Sequence, residues 1–337
     1  MDSLTQIVLG AAVGEVVLGK KVGNKAMLWG AIAGTIPDLD VFLNFFVDDL
    51  RGNELHRGVS HSILFSIFIA PLLGWLIYKI YSKSNEATQK EWSWLAFWAV
   101  FTHPLLDCHT TFGTQLLWPL PYRVAYNNIF VVDPLYTIPF LVLLIIVAFY
   151  KRVSETRRRI NLAGIIISSS YMAWTLGVKA YVHANFTQNL EANNIQFSRL
   201  STVPTPFNSI LWMGTAETED GYIVGAYSLL DKSKIIDLKE VNHHHYLIDS
   251  LKDNSTIERL KFLSKGWYII TQDSNNLKFN DIRFGPMMTK DGEAKYPFGY
   301  RLEWENEELK AIQERPNREE LDMKKVFSEL FDRVKGK

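Results

Sequence analysis

Three short stretches concentrate the side chains able to bind metal or move protons. Pro37-Asp38-Leu39-Asp40 closes one apolar run. His56-Arg57-Gly58-Val59-Ser60-His61-Ser62 opens another, and Thr102-His103-Pro104-Leu105-Leu106-Asp107-Cys108-His109 closes a third. Imidazoles and carboxylates are costly at the ends of hydrophobic segments unless something pairs with them, and a divalent cation meets that cost. Asp38, Asp40, His56, His61, His103, Asp107 and His109 are nitrogen and oxygen donors with no thiolate cluster, a set suited to Zn first, and also to Mn, Fe or Mg. Seven donors exceed what one tetrahedral ion takes. The expectation is therefore two ions, which together can clamp the attacking and leaving oxygens of a displacement.

The spacings support this chemistry. His103 and Asp107 stand four apart and share a helix face. Asp38 and Asp40 follow a proline and, on an extended backbone, project to one side. His61 opens an apolar helix with Ser60 as a candidate N-cap, while His56 approaches from the loop. Arg57 suits a supporting position or an anionic substrate group, because its fork matches phosphate and carboxylate. Gly58 and Gly113 allow tight turns beside the site. Asp133 and Glu15 are candidate general acids. Asp133, just before Pro134, also reads as a helix cap, and Glu15 also reads as a carboxylate near a helix end that reaches water beside Lys20. His109 is either a ligand or a loop residue, and Cys108 reads as a small buried residue. His243, His244 and His245 read as a solvated turn, since three consecutive imidazoles cannot all face one ion in regular structure.

The elements that must hold these groups are apolar helices. Residues 61–81 form the clearest span, because a bilayer core of roughly 30 Å needs about twenty helical residues. Residues 134–150 and 160–178 are next, and 92–105 carries Trp92, Trp94 and Trp98 at its end, as in an interfacial belt. Residues 4–19 and 25–47 are rich in Gly and Ala, which permits close helix contact in lipid. A mostly α membrane bundle of about six helices is expected over residues 1–182. Cations cluster in alternate connections (Lys20, Lys21 and Lys25; Lys79, Lys83 and Lys90; Lys151, Arg152 and 157–159), whereas the others hold Arg51, Arg57 and Arg123. The cation-rich side should be cytoplasmic, which puts the His/Asp stretches at the outer ends of their helices. It also puts residues 183–337, read as a small α+β domain, outside the cell. Within that domain 222–230, 267–271 and 282–284 have strand composition. Residues 253–264 and 305–335 read as charged amphipathic helices, the second punctuated by Pro316.

Composition sets further bounds. The 337 residues carry 36 basic and 36 acidic side chains, so no global field draws in nucleic acid, and none is expected as a partner. The single cysteine rules out an intrachain disulfide. No basic region precedes the first apolar stretch, so a cleavable signal is not expected. Oligomeric state is not legible.

Gly34-Thr35-Ile36-Pro37-Asp38-Leu39-Asp40, His56-Arg57-Gly58-Val59-Ser60-His61-Ser62 and Thr102-His103-Pro104-Leu105-Leu106-Asp107, in this order, resemble the YdjM-type membrane-bound metal-dependent hydrolases of bacteria. The resemblance covers roughly residues 1–180. It implies an inner-membrane location, a helical metal site, and a distant relation to zinc-dependent phospholipase C and single-strand nucleases, hence phosphoester chemistry. By the same resemblance Asp38, Asp40, His56, His61, His103 and Asp107 fall on metal-type positions. One departure is Thr5-Gln6, where many members have Thr-His; a glutamine oxygen is the poorer ligand. The resulting expectation is a metal-dependent hydrolase acting, through metal-activated water at the outer leaflet, on a lipid or lipid-linked phosphoester. The competing expectations are a divalent-metal transporter or channel using the same ligands, and a non-catalytic envelope scaffold with a structural metal.

Overall fold

Asp2 accepts a hydrogen bond from Thr5 N and starts the first helix, which runs as α1 over Ser3–Val22 with a π-helical turn at Glu15–Gly19. In the computed structural model, all residues are described except Ser84, Asn85, Ser274, Asn275, Pro316 and Arg318. Two compact units emerge, one of residues 1–46, 55–177 and 206–209, the other of 47–54, 178–205 and 210–337.

The first unit is helical. After α1 come α2 (Asn24–Thr35) and a 3₁₀ segment (Pro37–Phe45); α3 (Asp49–Leu55) follows in the chain, its residues up to 54 belonging to the second unit. Then come α4 (Ile63–Ile80), α5 (Gln89–Asp107), α6 (Pro134–Phe149) and α7 (Glu155–Ala192), whose later residues belong to the second unit. Small residues set the closest contact. A Cβ on Gly10 would lie 2.4 Å from Gly30 O, and one on Gly30 would lie 2.2 Å from Gly10 O. Gly14 and Gly34 extend this seam one turn either way, so α1 and α2 touch backbone to backbone as small-residue helices do in lipid. Thr88 and Glu91 form a reciprocal capping box that starts α5. Val8, Ala12, Leu106, Ile129 and Phe140 fill the unit's main core.

Six spans is more than the helices support by length and hydropathy. Among the described residues, α1 and α4 qualify alone, and α2 with the 3₁₀ segment qualifies as a pair bent by 44°. Pro134–Phe149 is apolar but, at 16 residues, short. Gln89–Asp107 carries Lys90, Glu91, His103 and Asp107, and Glu155–Ala192 begins with charged turns.

The second unit is α+β with antiparallel sheets. One has the order β1 (Arg199–Pro204), β2 (Leu211–Glu217), β3 (Gly221–Ser228), β4 (Lys239–Asn242). The other joins β5 (Tyr268–Asp273), β6 (Asn276–Asp281), β9 (Gly299–Glu305) and β10 (Glu308–Glu314), with β7 (Met287–Met288) and β8 (Ala294–Lys295) forming a small ribbon. Helix α8 (Ser255–Ser264) packs Ile257 and Leu260 against Ile270, Phe279 and Tyr300, and α9 (Met323–Val334) closes the chain.

Two expectations for this unit are corrected. Residues 282–284 form a 3₁₀ turn capped by Asp281, and the strand lies just before it. Residues 305–335 are not one helix: 308–314 pair with β9 across a turn in which Asn306 and Glu307 both have positive φ, a hairpin geometry. Pro316, read as the punctuation of that helix, lies outside the described residues.

Candidate metal centre

Three pieces of backbone bring the site together. Helix α5 presents His103 and Asp107 from its last turns. Gly58 precedes a short 3₁₀ turn, Val59–His61, that ends on His61. Ser62, rather than Ser60, caps α4 by accepting from Phe65 N. Pro37 opens the 3₁₀ segment carrying Asp38 and Asp40; this corrects the expected extended backbone. A proline is as well suited to the first helical position, where its missing N–H costs nothing.

Asp38, His61, His103 and Asp107 each offer a donor atom within 4.8 Å of the other three. His103 Nε2 lies 3.1 Å from His61 Nε2 and 3.3 Å from Asp38 Oδ1. His61 Nε2 lies 3.5 Å from Asp38 Oδ1 and 3.6 Å from Asp107 Oδ2, and His103 Nε2 lies 3.8 Å from Asp107 Oδ2. Four tetrahedral donors about 2.0–2.1 Å from an ion stand about 3.3–3.4 Å apart. The observed separations bracket that value, so the set fits one divalent ion after small shifts.

The surroundings fix the imidazoles for this role. His103 Nδ1 lies 2.6 Å from Gly34 O, and His61 Nδ1 lies 3.2 Å from Asp40 Oδ2 and 2.9 Å from Ser60 Oγ. An oxygen acceptor at Nδ1 holds the ring proton there. With both protons on Nδ1, the two unprotonated Nε2 atoms stand 3.1 Å apart, a repulsive arrangement that a cation relieves. Asp107 Oδ2 is buried and accepts no hydrogen bond. Its other oxygen takes Gln6 Nε2 at 2.9 Å and contacts the Met1 amino group. Gln6 Oε1 is likewise buried and without a hydrogen bond.

The remaining site candidates stand around this group. Asp40 is turned outward from it: Oδ1 meets His56 Nδ1 at 2.8 Å, and Oδ2 accepts from Arg57 N (3.1 Å) and Ser60 Oγ (2.6 Å). Asp40 and His56 therefore buttress the four donors. Arg57 is buried with its backbone at φ +61°, places Nε 3.0 Å from Asp107 Oδ2, and donates through Nη1 to Thr110 Oγ1 at 2.6 Å. It neutralises charge where two carboxylates approach. His109 pairs with Asn128 Oδ1 at 2.9 Å and lies outside the group. Burial holds it below the ordinary imidazole value, with the Asn128 hydrogen bond opposing. Asp133 caps α6 through Leu135 N and Tyr136 N and accepts from Tyr171 and Ser209, so its contacts are not those of an acid in the centre. Glu15 meets neither expectation: it is buried and bound by both Nε and Nη2 of Arg157 at 2.6 Å. His243 and His245 stack face to face at 3.9 Å, and His245 stacks on Tyr268 at 4.0 Å, a packed edge rather than a solvated turn.

Some supporting groups carried no sequence signal. Gly34 O acts through backbone position alone, and Thr110 reaches Arg57 only because a turn follows α5. Ser60 was visible beside His61 but read as a cap.

Fold and site together define a helical membrane protein with a candidate two-histidine, two-carboxylate metal centre. The chain belongs to the YdjM inner membrane protein family, whose family model matches residues 1–184 and so includes every donor above. It is similar to the "Uncharacterized protein YfhP" of Bacillus subtilis (strain 168), at 25% identity over 80% of this chain and 89% of that one. It is also similar to the "Inner membrane protein YbcI" of Escherichia coli (strain K12), at 35% identity over 31% of this chain and 59% of that one. No solved structure matches.

Proposed function

We propose that the protein is a membrane-integral metal-dependent hydrolase acting on a phosphoester of a lipid or lipid-linked substrate. The observation that carries this reading is the approach of His61 Nε2 to His103 Nε2 at 3.1 Å with both Nδ1 atoms engaged elsewhere, beside an Asp107 oxygen that accepts no hydrogen bond. Asp38, His61, His103 and Asp107 would hold the ion, with Zn favoured by the mixed nitrogen and oxygen set and Mn, Fe or Mg following. A divalent ion there supplies water activation and polarises a phosphoryl oxygen. A second ion would have to draw on His56 and Asp40, which already pair with each other, so we propose a single ion in the four-donor centre.

The chain's own residues divide the remaining work. Arg57 places a fixed positive charge beside Asp107, where it offsets the negative charge of an incoming phosphoryl group. His56 has 30% of its side chain exposed and Nδ1 held by Asp40 Oδ1; in our reading it acts as the imidazolium beside that carboxylate, giving the Nε2 proton to a leaving oxygen and keeping the Nδ1 proton toward Asp40. It replaces Asp133 and Glu15 in that role. Positive-inside asymmetry favours an extracytoplasmic second unit and a centre at outer-leaflet height.

The transporter reading is disfavoured because Glu15, the carboxylate that would extend an ion path, is committed to Arg157. The scaffold reading is disfavoured because Asp38 leaves one edge of the centre open. The test is hydrolysis of phosphodiesters by purified, metal-loaded protein. Activity is expected to vanish in His61→Ala, and to fall about 10²-fold or more in His56→Ala with metal retained. Inertness of the loaded protein toward phosphoesters, carboxyl esters and amides alike would overturn the proposal.

A further inference from the structure

The segment that delivers Asp38 to the centre also carries a continuous exposed apolar ridge. Pro37–Phe45 is 3₁₀ over nine residues, where such runs rarely pass four. Three residues per turn put Leu39, Phe42 and Phe45 in one row, and these are 53, 55 and 81% exposed. Phe42 and Phe45 stack at 6.3 Å. At about 2 Å of rise per residue the row is about 12 Å long. The neighbouring row starts buried at Pro37 and Asp40 and ends at Leu43, which is 44% exposed, so the apolar surface widens toward the end of the segment.

The one partly exposed donor of the centre lies on the segment that bears this ridge. Asp38 has 22% of its side chain exposed, while His61, His103 and Asp107 have none. The open edge of the site is therefore on the 3₁₀ segment itself. Helix α2 and this segment together satisfy the length and hydropathy of a span, with a 44° bend between them. The ridge thus lies on the second half of a bent apolar pair with the length and hydropathy of a span, which points to lipid as what covers it.

Resting on the hydrolase reading above, we infer that Leu39, Phe42 and Phe45 lie in the edge of the bilayer hydrocarbon and grip the acyl chain of the substrate. The centre then receives lipid-borne phosphoesters sideways, past Asp38, in preference to soluble ones. Amphipathic segments seat their apolar side at this depth, which places a headgroup level with the 3₁₀ turn that holds Asp38.

Two measurements on the full chain in lipid nanodiscs test this. Cys108 is buried, so a nitroxide on a Phe45→Cys variant reports this ridge alone. Collision with molecular oxygen but not with a water-soluble nickel chelate is expected. Access to the chelate, or to neither probe as under a second protein surface, would overturn the inference. In the second measurement Phe42→Ser/Phe45→Ser should lose at least about tenfold in rate on a long-chain phospholipid in mixed micelles. Hydrolysis of bis(4-nitrophenyl) phosphate should stay within about twofold, since the donors are untouched. Equal losses on both substrates would overturn the role in lipid selection. If the unmodified protein cleaves neither substrate, the hydrolase reading fails and the grip falls with it, while the nitroxide still decides whether the ridge meets lipid.

Discussion

Replacing Asp40 separates support of the metal centre from ligation of it. Asp40 Oδ2 takes Arg57 N at 3.1 Å, Ser60 Oγ at 2.6 Å and His61 Nδ1 at 3.2 Å, while Oδ1 takes His56 Nδ1 at 2.8 Å. Asp40→Ala leaves those donors facing a cavity, and each buried unpaired group costs about 1–3 kcal/mol. It also frees the His61 ring to rotate and lowers the basicity of Nε2. Loss of such an outer partner typically weakens metal binding about 10–100-fold, or about 1.4–2.7 kcal/mol. Asp40→Asn keeps one oxygen for Arg57 N and Ser60 but turns an N–H toward His56 or His61, so a loss near the lower end is expected. Competition of purified protein with a calibrated chelator for Zn reads both values. His61→Ala, which removes a donor, should abolish stoichiometric binding. Unchanged affinity in Asp40→Ala, or a loss as complete as that of His61→Ala with no recovery in Asp40→Asn, would refute the assignment of Asp40 as a supporting group.

Other perturbations test the frame that holds the centre. Glu15→Gln breaks a buried bidentate pair and should cost about 3–5 kcal/mol in detergent unfolding, with Glu15→Leu/Arg157→Met recovering much of it; a loss below 1 kcal/mol, on the order of a surface pair, would contradict burial of the pair. Gly30→Ala puts a methyl 2.2 Å from Gly10 O, so it should cost about 1–3 kcal/mol and weaken metal binding by shifting Gly34 O from His103, whereas Gly177→Ala, inside a helix with nothing within 4 Å, should leave metal binding unchanged and raise stability by about 0.5–1 kcal/mol. In the second unit, burial pushes His245 below its ordinary 6.5, with Tyr268 O opposing and His243 assisting. The unfolded chain therefore takes the proton first, and stability falls as pH drops below about 6.5 toward the folded value. Melting followed against pH should show this slope reduced in His245→Gln; an unchanged slope would contradict it.

The donors were legible because residue type and position coincided: His103 and Asp107 share a helix face, and His61 sits at the start of the most apolar helix. What the sequence left open was which atoms face inward. Asp38 and Asp40 look equivalent two residues apart, yet a 3₁₀ backbone turns one to the donors and the other to His56, Ser60 and Arg57. Glu15 and Arg157 stand 142 positions apart, and no local pattern announces such a pair. The Gly10 and Gly30 contact was foreshadowed by the small residues of both segments. The strand at 308–314 was missed because its charges read as a helix surface, although Leu309 and Ala311 alternate with polar neighbours beside a turn at Asn306. The expected count of about six spans exceeds the two or three that pass by length and hydropathy, because α6 is short at 16 residues while α5 and α7 are long enough but carry charged residues.

The central claim is that two imidazoles and two carboxylates from three backbone segments share an ion. Metal analysis combined with X-ray absorption on protein purified without added chelator tests it most directly. The expected result is a stoichiometric divalent ion with two nitrogen and two oxygen neighbours from the chain at about 2.0–2.2 Å, lost in His61→Ala and His103→Ala. Folded protein that carries no such ion even after Zn, Mn or Fe is supplied, with His61 and His103 still in direct contact, would contradict it.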